Sequence, residues 1–255
     1  MHVQSAGVCY EADAARPDGA AAPLISARGL GHAYGAFPVL RELRLDVAPG
    51  EFLAVVGPSG CGKSTLLALL AGTRQPTSGS LQRRAATRMV YQQDGLFPWL
   101  TTAENIALGL DARAEPASRA RCLDEMLELI RLADFRDHYP HQLSGGMRRR
   151  VELARVLAGP SDLLLMDEPF SALDYQTRRR MHRELQSMLA SYPRAVVLVT
   201  HDIEEAALLA DRILLLSDRP ATVRSEFHLP RGRARAIGDS DVLEVVARIH
   251  ADLAL

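Results

Sequence analysis

The stretch GPSGCGKST at residues 57–65 constrains this chain more than any other, because it joins the apolar run FLAVV at 52–56 to the apolar run LLALLAG at 66–72. It fits the pattern G-x-x-x-x-G-K-[ST], which works only between a buried strand and a helix. Gly57, Gly60 and Gly62 let the main chain curl until successive N–H groups face one point, and the following helix adds its positive end. Residues Gly57, Pro58, Ser59, Gly60, Cys61, Gly62, Lys63, Ser64 and Thr65 are therefore expected to hold the phosphates of a nucleotide, largely with backbone. Lys63 would supply a charge for the outer phosphates, and Ser64 is a candidate magnesium ligand. A plain glycine turn is the competing reading; the Lys-Ser pair and both flanks weigh against it.

The run at 52–56 does not alternate, which predicts a strand covered on both faces, as in a parallel α/β sheet. Similar runs recur at 163–166, 195–199 and 213–216, whereas 42–47 alternates polar with apolar as a strand with one wet face does. Between them Leu123, Met126, Leu127 and Ile130 keep helical spacing, as do Met181, Leu185 and Met188, and near the end Val242, Val246, Ile249 and Leu253. Core packing accounts for the first two stripes. Alternating buried strands and helices predict a doubly wound α/β core with ligands beyond the C-terminal ends of its strands. Asp167 and Glu168 stand at such an end, in LLLMDE: Asp167 as a metal-holding carboxylate, Glu168 as the base that polarises an attacking water. Capping of the next turn is the alternative for that pair.

Charge and composition narrow the class of partner. The 30 basic and 31 acidic residues leave a formal charge of −1, so no overall basic field favours nucleic acid or an anionic membrane. No apolar stretch approaches the roughly 18 residues of a membrane span. The N-terminus lacks a basic start followed by an apolar core, so it does not read as a secretory signal; residues 1–23, rich in Ala, Gly, Pro and Asp, are expected to be a disordered tail. The three cysteines have no metal-ligand spacing and read as free thiols of a reducing compartment.

At LSGGM, residues 143–147, the chain resembles the ATP-binding subunit of an ABC transporter. The resemblance runs from about residue 24 to 220. It is nearest to importers of the nitrate, taurine and aliphatic sulfonate type, through DGLFPWLTTAENIALGL, LLLMDEPFSALD and VTHDIEEAALLADRILLLS. It implies a P-loop NTPase fold with a mixed sheet core, an antiparallel β subdomain and an α-helical signature subdomain at about 93–160, all within a domain spanning 24–229. A basic linker and C-terminal helix would fill 230–255. It further implies that Ser144, Gly145 and Gly146 close over ATP held by a second copy, although locally Ser144 also reads as a helix N-cap worth about 1 kcal/mol. By the same resemblance Tyr34 stacks on adenine, Gln92 reaches magnesium and water, Asp174 meets the opposite subunit, and His201 touches the γ-phosphate and orients Glu168. ATP and Mg2+ are the implied cofactors. The implied partners are a second copy in a homodimer, transmembrane permease subunits and a separate solute-binding protein, with the chain peripheral on the cytoplasmic face of the inner membrane and no nucleic acid bound.

Three departures stand out. Arg149 replaces a common Gln, giving the run 148–150 of arginines, expected as a solvated basic face or as altered ATP contacts. The segment between Lys63 and Gln92 is short for the family, which predicts a trimmed antiparallel hairpin. The last 25 or so residues match no functional motif. The rival from another class is a soluble ABC-type ATPase working on nucleic acid or ribosomes; near-neutral charge and a single cassette count against it.

Overall fold

The computed structural model describes residues 22–253, apart from 94 and 231–234. The expected tail at 1–23, but for its last two residues, and most of the basic linker lie outside the described residues. In chain order the elements are β1 (Ile25–Tyr34), β2 (Phe37–Val47), β3 (Phe52–Val56), α1 (Lys63–Leu70), β4 (Ser78–Arg83), β5 (Thr87–Val90), α2 (Thr102–Ala107), α3 (Pro116–Leu129), α4 (Gly145–Leu157), β6 (Leu163–Asp167), α5 (Tyr175–Ser191), β7 (Ala195–Thr200), α6 (Ile203–Leu209), β8 (Arg212–Leu216), β9 (Val223–His228) and α7 (Ser240–Leu253). They fall into two compact units: Ala20–Gln92 with Asp162–Pro169 and Arg194–Leu255, and Gln93–Ser161 with Phe170–Pro193.

The first unit holds two sheets. The larger has the order β5-β6-β7-β3-β8-β9, and the smaller β2-β1-β4. β3 lies between β7 and β8, parallel to both, and each of its five residues is buried, which is why its sequence does not alternate. β9 closes the edge antiparallel to β8 and makes the sheet mixed. The smaller sheet is antiparallel throughout, and Leu43, Leu45 and Val47 of β2 are buried while Arg44 is exposed. Leu66, Leu67, Leu69 and Leu70 of α1 are all fully buried, in one core with Ile25 and Leu43 of the small sheet and Leu53 and Val197 of the large one. Ser64 of α1 is exposed and Thr65 and Ala68 are half-buried, so the side of the helix away from those leucines is the less covered one.

The turn before β3 is held by Glu51, whose carboxylate accepts from Ala48 N at 2.7 Å and from Arg212 Nε at 2.6 Å. Between α1 and Gln92 the chain makes only β4 and β5, with β4 paired to β1, so no separate hairpin stands there among the described residues. α7 packs on α6 in this same unit, although the sequence reading set 230–255 apart. Its buried side chains are Val242, Val245 and Ile249. The expected stripe is thus corrected by one position: Val245, not Val246, points inward, and Leu253 is exposed.

The second unit is helical. α4 packs against α2 and α5, and α2 against α3. Met126, Leu127 and Ile130 are buried as the helical period requires, with Cys122 in place of half-buried Leu123. Met181, Leu185 and Met188 of α5 are buried too, each contributing about 1.5–3 kcal/mol by removal of apolar surface from water. The unit takes in all of α5, beyond the span 93–160 expected for it. Cys61 is a buried free thiol, Cys122 is buried on α3, and Cys9 lies outside the described residues.

Candidate active site

The glycine loop leaves the C-terminal end of β3 and runs into α1. Gly60 and Gly62 have φ of 76° and 122°, a region that costs residues with a Cβ. At Gly62 a Cβ would also come within 2.7 Å of Val39 Cγ1 and 2.9 Å of Leu40 Cδ2, so both backbone and space demand glycine. No side chain caps α1, which leaves its first N–H groups available to an anionic acceptor. Lys63 is buried, and its Nζ donates to the carbonyls of Gly57 at 2.8 Å and Pro58 at 2.9 Å. Those bonds fold the ammonium back over the loop that it follows. Burial pushes the Cys61 thiol up from its ordinary value, so it acts as a packed apolar group and not as a nucleophile.

Beside the loop, at the end of β6, Asp167 accepts from Ser64 Oγ at 3.2 Å. Burial raises its carboxyl above the usual range, and the Ser64 hydroxyl offsets part of that rise. Glu168 follows with φ of 43°, an unfavourable conformation for a residue with a side chain, and its N–H donates to Val199 O at 2.8 Å. Asp167 pairs in register with Val199 of β7, and β7 ends at Thr200. His201 is thereby delivered next to Glu168: its Nδ1 lies 2.9 Å from Glu168 Oε2. Gln92 sits exposed two residues past β5, the strand beside β6.

Tyr34 ends β1. Its hydroxyl is 3.3 Å from Thr65 Oγ1, its ring meets the edge or face of His32 at 4.8 Å, and the Arg74 guanidinium stands over it at 4.9 Å. The sequence reading picked out Tyr34 but neither His32 nor Arg74. No local pattern marks those two, since Arg74 reaches the ring from beyond α1.

In the helical unit Ser144 caps α4, its Oγ accepting from Met147 N at 3.3 Å, and Asp174 caps α5, accepting from Thr177 N at 3.0 Å. The Thr177 bonds hold the Asp174 carboxyl below the usual range. Both caps line one open cleft of about 330 Å³, together with Gly145, Gly146, Arg150 and Arg180. A Cβ at Gly146 would lie 3.2 Å from Thr177 Cγ2, so glycine keeps the two helix starts close. The local reading of Ser144 as an N-cap is therefore correct in structure.

Arg149 corrects an expectation. It is buried, not solvated, and it pairs with buried Glu152 one turn along α4. Glu152 also accepts from Gly95 N at 3.4 Å, while Arg155 donates to Gly95 O at 2.8 Å. Two side chains of α4 thus hold Gly95, in the loop after Gln92, from both its N–H and its carbonyl. Two of three consecutive arginines turn inward because α4 is packed by both α2 and α5: Arg150 donates to Ile130 O at 2.7 Å.

The donor set suits magnesium. A serine hydroxyl and a carboxylate oxygen are hard ligands, and already lie within hydrogen-bonding distance of one another. Among the described residues no group of three or more His, Cys, Asp or Glu could hold a metal alone. Such a sparse site fits an ion that takes one or two protein oxygens and completes its shell with phosphates and water.

A family model described as ABC transporter matches residues 40–171. The aliphatic sulfonates import ATP-binding protein SsuB 1 of Rhodococcus jostii (strain RHA1) is 44% identical over 220 residues, 84% of this chain and 86% of that protein. The taurine import ATP-binding protein TauB of Roseobacter denitrificans (strain ATCC 33942 / OCh 114) is 40% identical over 215 residues, 81% of this chain and 80% of that protein. Among solved structures, the dimeric structure of MJ0796, a bacterial ABC transporter cassette, is 32% identical with a TM-score of 0.68, covering 82% of this chain and 100% of that one. A post-hydrolysis dimer of the same cassette bound to ADP and Pi gives 30% and 0.68, with 82% and 100% covered.

Proposed function

This chain belongs to the ABC transporter family of ATP-binding proteins, and on that footing we propose that it is the ATP-hydrolysing subunit of an importer for a small anion of the sulfonate, taurine or nitrate class. The observation that carries the reading is a convergence. Ser64, Asp167, Glu168 and His201 come from three segments of the chain, yet their hydrogen bonds of 3.2 and 2.9 Å gather them at the strand ends where the glycine loop opens.

In this reading the N–H groups of residues 57–65 and the Lys63 ammonium hold the ATP phosphates, and Tyr34 stacks on the base. Ser64, Asp167 and Gln92 hold magnesium, which when bound neutralises charge on the phosphates. Glu168 takes a proton from the attacking water; His201, already hydrogen-bonded to Glu168, fixes its orientation and faces the terminal phosphate.

Ser144, Gly145, Gly146 and Asp174 serve the nucleotide of a second copy. A two-fold head-to-tail pair then completes two sites at once, and loss of the terminal phosphate loosens it. The dimeric arrangement of the MJ0796 cassette supports this pairing. No described helix is long and apolar enough to cross a membrane. Attachment to the cytoplasmic face of the inner membrane would come through permease subunits, and a separate solute-binding protein would deliver the anion. Nucleic acid is not a partner in this reading, in keeping with the formal charge of −1.

The test is ATP turnover by the chain purified with its own permease, in the presence of the cognate binding protein loaded in turn with taurine, an alkanesulfonate or nitrate. Stimulation by one of these is expected. Turnover indifferent to all three, but stimulated by DNA or ribosomes in a salt-sensitive way, would overturn the transport reading.

A further inference from the structure

The turn after β8 reaches back to the glycine loop. Arg219, on that turn, donates from both Nε and Nη2 to Gly60 O, at 3.2 and 2.5 Å, across 159 positions of sequence. Gly60 is the loop's exposed tip, and the guanidinium lies so near that a Cβ there would be 3.4 Å from Nη2.

The turn itself is braced. Ser217 N donates to Thr222 O at 3.0 Å, Thr222 N donates to Ser217 Oγ at 3.0 Å, and the two hydroxyls are 3.2 Å apart. Ala221 N donates to Val39 O at 2.8 Å and Arg41 N to Ala221 O at 2.9 Å, so the turn is pinned to β2. The same stretch of β2, through Val39 and Leu40, backs Gly62. Gly60, through the turn, and Gly62, directly, therefore lean on one support.

A trans peptide is planar, with its carbonyl and its N–H pointing in opposite directions. Anchoring Gly60 O outward on Arg219 fixes the plane of the Gly60–Cys61 peptide, whose N–H closes a turn on Pro58 O at 3.3 Å and so sets the path on which the N–H groups that follow are presented. The inward N–H groups are what would grip a phosphate. Arg219 also places a cation beside the tip, although neighbouring Asp218 offsets part of that charge. From this geometry we infer that Arg219 is a further positioning residue of the site, one that presets the phosphate loop for a nucleotide di- or triphosphate. The inference rests on the reading of residues 57–65 as a phosphate cradle.

The experiment is calorimetric titration of the full chain with MgATP and MgADP, for wild type, Arg219→Ala, Arg219→Lys and Lys63→Ala, with the melting temperature of each nucleotide-free protein. Arg219→Ala is expected to raise Kd for both nucleotides about 3–10-fold, the worth of a charge-assisted bond at an exposed site. Its nucleotide-free melting temperature should stay at the wild-type value, and the lysine variant, which keeps the charge but not the two-pronged grip, should recover only part of the affinity. Unchanged affinity in Arg219→Ala overturns the inference, as does an affinity loss accompanied by a matching fall in nucleotide-free stability. If Lys63→Ala binds as wild type does, the cradle reading itself fails and takes this one with it; if only Arg219→Ala is neutral, the cradle stands without it.

Discussion

His201 Nδ1 and Glu168 Oε2 are 2.9 Å apart, although the two residues leave different strands, β7 and β6. The in-register pairing of those strands creates this contact, and the positive φ of Glu168 turns its carboxylate toward the histidine. Glu168→Gln should therefore keep nucleotide binding but slow hydrolysis by about 10²–10⁴-fold, the usual worth of a positioned base. Single-turnover ATP cleavage measures it. A near-normal rate would remove Glu168 from the role.

Lys63 gives a prediction of the opposite kind. Its ammonium is buried and preorganised over the loop by the Gly57 and Pro58 carbonyls. Lys63→Ala deletes a charge-assisted contact present in the ground state, so MgATP affinity should fall about 10–100-fold. Titration with a slowly hydrolysed ATP analogue reads this directly, and unaltered affinity would count against the assignment.

The Arg149–Glu152 pair predicts a stability effect away from the chemistry. Their side chains are 7% and 1% exposed, so Glu152→Ala removes a counter-charge from a buried guanidinium and an acceptor from Gly95 N–H. The expected loss is about 3 kcal/mol, a fall of about 6–12 °C in melting temperature for a chain of this size. The double change Arg149→Met with Glu152→Leu should cost less than Glu152→Ala alone, because no buried charge is left behind. A double variant that is less stable than the single would contradict this account.

Glu152 also predicts a pH dependence. Burial raises its carboxyl above the ordinary range, and Arg149 only partly counters that. The folded state therefore holds a proton that the unfolded state has released, in the window between the unfolded pKa and the raised folded one. There ν_N exceeds ν_U, so stability falls as pH rises through the window and levels off above it. Relative to Glu152→Gln, the wild-type protein should gain stability as pH is lowered into that window. Urea unfolding of both proteins across the acidic range measures the difference; a difference independent of pH would refute it.

Ser144 tests the paired arrangement. In a Glu168→Gln background, where hydrolysis is slowed, MgATP should shift the protein to a dimer in sedimentation, and adding Ser144→Arg should keep it monomeric with ATP still bound. In the proposed pairing a bulky side chain at the start of α4 would exclude a partner's phosphate, whereas the glycine loop belongs to a different element, ahead of α1. Dimers that form regardless would sink the composite site.

The sequence by itself determined the glycine loop between a strand and a helix, the four buried strands at 52–56, 163–166, 195–199 and 213–216, and the carboxylate pair at a strand end. Each is written in consecutive residues: a glycine spacing that only one backbone path satisfies, or an apolar run that only burial on both faces explains. Other features depend on what packs from elsewhere. β5 is four residues long and mostly half-buried, so no period marks it, and β9 belongs to the sheet only because β8 offers an edge. Nothing local distinguishes Arg149, folded into a protein-lined interior, from Arg148 beside it. Val245 rather than Val246 faces inward because α6 fixes the rotation of α7. The meeting of His201 with Glu168, and of Arg219 with Gly60, was decided by tertiary structure, since strand register and a braced turn set those distances and neither is encoded within reach of the residues themselves.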